Sequence, residues 1–221
     1  MQYDTVLFDL DGTLIDTVED LGDTMNKALE QFGFAQITYE QCRVMLGIGL
    51  RHFCESALPE GKKGMVDEVM EVFRKIYNDN FCEKTKPYDG IPELLSWLKE
   101  RGFKLAVITN KNEDISSVIV EKIFGNNVFG AVRGAKDGIG CKPQPGPALG
   151  VLERLGSEPA KTLFVGDGET DVETAKNCGC RGVWVKWGFR ELEELGEHKP
   201  DDIISRPEEL KEIIERNKRI D

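Results

Sequence analysis

The chain has 221 residues, 40% of them hydrophobic, which suffices for one sizeable core and leaves material for an insertion or a small second domain. Forty acidic against 29 basic residues give a net charge of -11, which opposes nucleic acid and anionic membranes as partners, so an anionic ligand must be met by a few local cations. No charged start leads into an apolar stretch and no apolar run is long enough to span a bilayer, so a soluble, cytoplasmic protein is expected.

The first predicted strand is the apolar, β-prone run at residues 5–8, which ends abruptly in Asp9-Leu10-Asp11-Gly12-Thr13. Side chains two apart on an extended backbone point the same way, so Asp9 and Asp11 are expected to converge just past the strand end, where open parallel sheets bind ligands. Two carboxylates that close repel unless a divalent cation lies between them or one is protonated. Gly12 permits a tight turn and Thr13 offers a hydroxyl beside it. Average residue usage places D-x-D-G-T in a chain of this length only about a few times in a thousand.

From residue 17 to about 86 the apolar spacing is helical. Val18, Leu21, Met25, Ala28, Leu29 and Phe32 share one face, with Asp16 or Thr17 as cap. Thr38-x-x-Gln41 is a capping-box pattern that opens a second helix ending by Gly47, and residues 50–58 and 65–81 predict two more. Beyond this block strands and helices alternate. Strands are predicted at 104–109, 162–165, 182–185 and 203–204, more weakly at 128–132, and helices at 92–100, 112–124, 147–155 and 170–178. Alternation of this kind predicts an α/β fold with a parallel sheet covered on both faces.

Six cysteines (Cys42, Cys54, Cys82, Cys141, Cys178 and Cys180) contain no C-x-x-C pair, and His52 and His198 are the only histidines. Zinc is therefore not expected, and the thiols are expected to be reduced and mostly buried.

The run Asp9-Leu10-Asp11-Gly12-Thr13-Leu14 resembles the first motif of the haloacid dehalogenase superfamily. Thr109 at a strand end, Lys142-Pro143, and Gly166-Asp167-Gly168-Glu169-Thr170-Asp171 resemble the second, third and fourth, in the family's order. The resemblance runs from the first strand to the last predicted helix. It implies a Rossmann-like core at residues 1–16 and 87–221, with the helical block, residues 17–86, in the place of the family's C1 cap. It further implies a phosphatase that acts on a small phosphorylated metabolite. Asp9 is then the nucleophile that forms an aspartyl-phosphate, and Asp11 protonates the leaving oxygen and later deprotonates water. Mg2+ is expected on a carboxylate oxygen of Asp9, the backbone carbonyl of Asp11 and Asp167, with Asp171 in support directly or through water. Thr109 and the Asn110 amide are expected to hold the phosphoryl oxygens, and Lys142 to balance their charge. Arg51, in the segment between two cap helices, is a candidate for a substrate carboxylate.

Gly168 stands where the family usually has a small hydroxyl residue, and Glu169 reads as a solvated acid at a helix start. Thr13, the cap and the segment from Trp187 onward resemble the phosphoglycolate phosphatase branch. The β-phosphoglucomutase-like branch often has Val at the position of Thr13 and His at that of Leu21. A phosphomutase, a pyrophosphatase or a nucleotidase of the same superfamily are the alternatives, and a non-catalytic binding protein is disfavoured by the intact motifs. A monomer or homodimer is expected, with neither nucleic acid nor membrane as partner.

Overall fold

Thr5–Phe8, four side chains shut away from solvent, form strand β1 of a computed structural model that describes residues 2–136, 138 and 140–218. The chain divides into two units, Met1–Ile15 with Pro87–Asp221, and Asp16–Lys86, and two-residue strands β2 (Ile15–Asp16) and β3 (Lys86–Pro87) lie where it passes from one to the other.

The first unit is built on a wholly parallel sheet. Its further strands are β4 (Lys104–Asn112), β5 (Ala131–Ala135), β6 (Thr162–Gly166), β7 (Arg181–Val185) and β8 (Asp202–Ile204), and their order is β5-β4-β1-β6-β7-β8. Counted among these six, the order is the doubly wound 3-2-1-4-5-6, which reverses direction between β1 and β6. Phe8 aligns with Val107 on one side and Val165 on the other, so the carboxyl ends of the three central strands lie side by side. Helices α5 (Ile91–Glu100), α6 (Glu113–Phe124), α7 (Gly146–Leu155), α8 (Glu169–Cys178) and α9 (Glu209–Lys218) belong to this unit. Ala148, Val151 and Leu152 of α7 and Ala175 of α8 join Leu7, Ala106, Ile108 and Phe164 of the sheet in one buried cluster. Val6 and Phe8, on the opposite face of β1 from Leu7, are fully buried as well, and burial of both faces explains the continuous apolar strand.

Two predicted boundaries move. β4 runs on to Asn112, because pairing with β5 resumes at Asn112↔Ala135 after an irregularity past Ile108, and β5 begins at Ala131 rather than residue 128. Asn112 still caps α6 by accepting a hydrogen bond from the Ile115 N–H at 3.1 Å.

The second unit is helical: Val18–Gln31, Tyr39–Met45, Leu50–Ala57 and Val66–Asn80, to be called helices α1 to α4. The predicted apolar face of α1 is buried at Leu21, Met25, Ala28 and Leu29, and the Thr38–Gln41 capping box is formed in both directions. Phe53 meets Phe73 edge-on at 5.9 Å, and Phe73 stacks on Tyr77 at 5.4 Å. Asp20 is the part of this unit that periodicity does not disclose. Buried on the apolar side of α1, its carboxylate accepts from the backbone N–H of Lys84 and of Thr85 and from the Thr85 hydroxyl, at 2.6 to 3.0 Å. Asp20→Ala would strand those donors, and a loss of roughly 3 kcal/mol in urea unfolding is expected. A loss within about 0.5 kcal/mol would show that water replaces the carboxylate.

All six cysteines are free; four are buried, Cys82 is half-buried and Cys141 exposed, and burial pushes the Cys42 and Cys54 thiols up to about 12. No helix among the described residues is long and apolar enough to cross a membrane.

Candidate active site

The carboxyl edge of the sheet collects the predicted polar residues of the first unit. Asp9 leaves β1 with its N–H still bonded to Val165 O at 2.9 Å, and Asp167 follows the end of β6, the neighbour across the reversal point. Oxygens of Asp9, Asp167 and Asp171 lie within 4.8 Å of one another, and all three residues are buried. Among them stands the Lys142 ammonium, 2.7 Å from Asp9 Oδ1 and 2.6 Å from Asp171 Oδ1, itself only 4% exposed. Asp171 is held from behind by the Gly168 N–H at 3.0 Å.

Three buried carboxylates thus face one ammonium, and the imbalance shows in their proton affinities. Burial and the charges of Asp171 and Asp167 raise Asp9 well above the usual carboxylate range, against the pull of Lys142. Burial and Asp171 push Asp167 up to about 7, although the Phe189 N–H, Lys142 and the Thr13 hydroxyl oppose the shift. Burial works against the charge on Lys142, yet Asp171 and Asp9 hold its pKa above the ordinary lysine value. An all-oxygen cluster with surplus negative charge suits a hard divalent cation of the magnesium or calcium kind.

A pH dependence follows. The folded pKa of Asp167 lies above its ordinary 3.8, so its contribution stabilises the metal-free fold below about pH 4 and is lost as pH rises through about 7. Chelated wild type should gain melting temperature over Asp167→Asn as pH falls from about 8 to about 5, and added Mg2+ should stabilise wild type most at the upper end. Parallel melting curves for the two proteins across that range would exclude this origin.

Asp11 parts company with Asp9. Its carboxylate lies outside the three-acid cluster and is gripped by Lys111, whose ammonium is 3.0 Å from Oδ1 and 3.4 Å from Oδ2. Thr109 is buried in β4, and its hydroxyl oxygen accepts from the Lys111 N–H at 3.2 Å. The Asn110 side chain brackets the Lys142 backbone: Lys142 N–H donates to Oδ1 at 2.8 Å and Nδ2 donates to Lys142 O at 3.2 Å. It fixes the loop that carries the ammonium.

The segment after β7 has a larger share in the site than its sequence signals. The Phe189 N–H donates to Asp167 Oδ2 at 2.7 Å and the Thr13 hydroxyl to Oδ1 at 3.1 Å, so both carboxylate oxygens are oriented. Trp184 of β7 also donates its indole N–H to Asp167 O at 2.7 Å, and Trp187 donates to Thr13 O at 3.0 Å. Glu169, at the start of α8 and partly exposed, is also 3.7 Å from the largely buried Arg190. Asp167 is wedged between two loops: a Cβ on Gly12 would lie 2.4 Å from its Oδ2, and one on Gly188 2.2 Å from its Cβ. Only glycine allows either approach, and Gly12 also has φ +86°. In the helical unit, Arg51 pairs with Asp67 and, at 3.6 Å, with Glu55.

The family model described as "Haloacid dehalogenase-like hydrolase" matches residues 6–185. A protein of Aquifex aeolicus named phosphoglycolate phosphatase is 38% identical over 210 residues, covering 95% of this chain and 96% of its own. One of the same name from Haemophilus influenzae (strain ATCC 51907 / DSM 11121 / KW20 / Rd) is 30% identical over 221 residues, covering 96% and 99%. A crystal structure from Lactobacillus delbrueckii subsp. bulgaricus, provisionally named phosphoglycolate phosphatase, superposes with a TM-score of 0.90 at 32% identity over 97% of this chain and 99% of that one.

Proposed function

The chain belongs to the haloacid dehalogenase-like hydrolase family, and from that premise we propose that it is a Mg2+-dependent phosphatase acting on a small phosphate monoester, phosphoglycolate first among the candidates. The reading is carried by one observation: a buried ammonium stands between Asp9 and Asp171 at the reversal point of a parallel sheet, with Asp167 alongside.

Asp9 attacks phosphorus in line, the bond to the leaving oxygen breaks, and Asp11 gives that oxygen its proton. Water then attacks the aspartyl-phosphate while Asp11 takes its proton, which releases inorganic phosphate and restores the Asp9 carboxylate and the protonated Asp11. The Thr109 hydroxyl can still donate, because it accepts from Lys111 N–H, and so it serves a phosphoryl oxygen together with the Asn110 backbone amide. Lys142 meets the negative charge spread over the phosphoryl group. Asp9, Asp167 and the Asp11 carbonyl would hold Mg2+, with Asp171 in support, and the bound ion would supply positive charge where the phosphoryl oxygens become more negative. The helical unit is read as the cap that supplies specificity, with Arg51 as a candidate partner for a substrate carboxylate.

The test is release of inorganic phosphate from a panel of phosphoglycolate, sugar phosphates, nucleoside monophosphates and pyrophosphate, with and without Mg2+. The highest kcat/KM on a monoester, lost with chelator, is expected. Isomerisation of a sugar phosphate without phosphate release would point instead to a mutase.

A further inference from the structure

Lys111 has no part in the motifs, yet it touches two of their residues. Thr109 and Lys111 both lie in β4, in the stretch past Ile108 where its pairing with β5 is irregular. The backbone N–H of Lys111 orients the Thr109 hydroxyl, and its ammonium spans both oxygens of Asp11. The pair is well enclosed, with side chains 9% and 17% exposed, unlike an ordinary surface ion pair. Lys142 is already bound to Asp9 and Asp171, so the two cations divide the acids between them: one serves the cluster, the other the residue assigned to move protons.

We propose that Lys111 is a positioning residue that fixes the Asp11 carboxylate where it can reach the leaving oxygen. The proposal rests on the reading of Asp11 as proton carrier. Substitution of the side chain leaves the backbone bond to Thr109 in place, so it separates the two contacts of this residue.

Leaving groups supply the test. Phosphoglycolate expels an alkoxide that needs a proton, whereas p-nitrophenyl phosphate expels a phenolate that does not. With Mg2+ present, leaving-group release in the first turnover should fall roughly 10- to 100-fold for phosphoglycolate in Lys111→Met and less than about threefold for the phenyl ester. Lys111→Arg, whose guanidinium can also span a carboxylate, should recover part of the loss. Adding Lys111→Met to Asp11→Asn should cost nothing further, because a residue that acts through Asp11 has nothing left to position. Equal losses on both esters, a change confined to KM, no loss, or full additivity with Asp11→Asn would each overturn the proposal. Undiminished turnover in Asp11→Asn would overturn the reading of Asp11 and the proposal with it. If Asp11 proves essential and Lys111→Met behaves as wild type, the proposal alone fails.

Discussion

Asp9→Asn abolishes turnover, with a fall in kcat on the order of 10^4 or more, while the metal-free protein melts higher than wild type. Both outcomes come from the same surroundings. The carboxylate is the attacking group, and an amide has no comparable nucleophilicity. Its ionised form is also disfavoured in the metal-free protein, because burial, Asp171 and Asp167 all favour the protonated form. Neutralising it relieves that repulsion and still leaves Lys142 with Asp171 at 2.6 Å. With Mg2+ the order changes, because wild type gains more from a cation that its third carboxylate helps to hold. The checks are phosphate release in the presence of Mg2+ and melting curves with chelator and with Mg2+. A metal-free variant that melts several degrees lower would show that Asp9 contributes to stability rather than detracting from it.

Lys142→Met reverses the pattern and damages fold and activity together. A buried cation is removed from two carboxylates at 2.6 and 2.7 Å, and an uncompensated cluster of three acids remains. Breaking one side of such a buried pair costs about 3–5 kcal/mol, read from urea unfolding of metal-free protein. Protonation of Asp9 and Asp167 recovers part of this at low pH, so the deficit should grow toward alkaline pH. Turnover should fall at least on the order of 10^2, because the phosphoryl oxygens lose their fixed counter-charge. Lys142→Arg should not restore it, since a planar guanidinium does not fit a point-charge position closed in by Asp9 and Asp171. A variant with wild-type stability would mean that solvent reaches the cluster.

The parts of the fold and site that were legible in the sequence are those fixed by neighbours along the chain. Alternating apolar strands and amphipathic helices gave the parallel sheet, and the strand end at Phe8 located Asp9 and Asp11. The end of β6 also located Asp167, whereas Thr109, expected at a strand end, lies inside β4. What escaped depends on contacts between distant segments. Asp20 looks like any acid near a helix start until Lys84 and Thr85 are seen to donate to it. The roles of Trp184, Phe189 and Arg190 appear only when the β7 loop meets Asp167 and Glu169. Asn110 could not be assigned to Lys142 across 32 positions, and β4 outran its apolar pattern because its end is set by pairing with β5. Helix α9, which its sequence does not announce by any motif, buries Leu210, Ile213 and Ile214.

The bare backbone on either side of Asp167 restricts how such a site can diverge. Neither Gly12 nor Gly188 admits even a methyl group beside this carboxylate, so its environment cannot be retuned by introducing a larger neighbour at those two positions. New chemistry would have to be acquired farther out, by residues that meet the rest of the substrate, while this acid stays as it is.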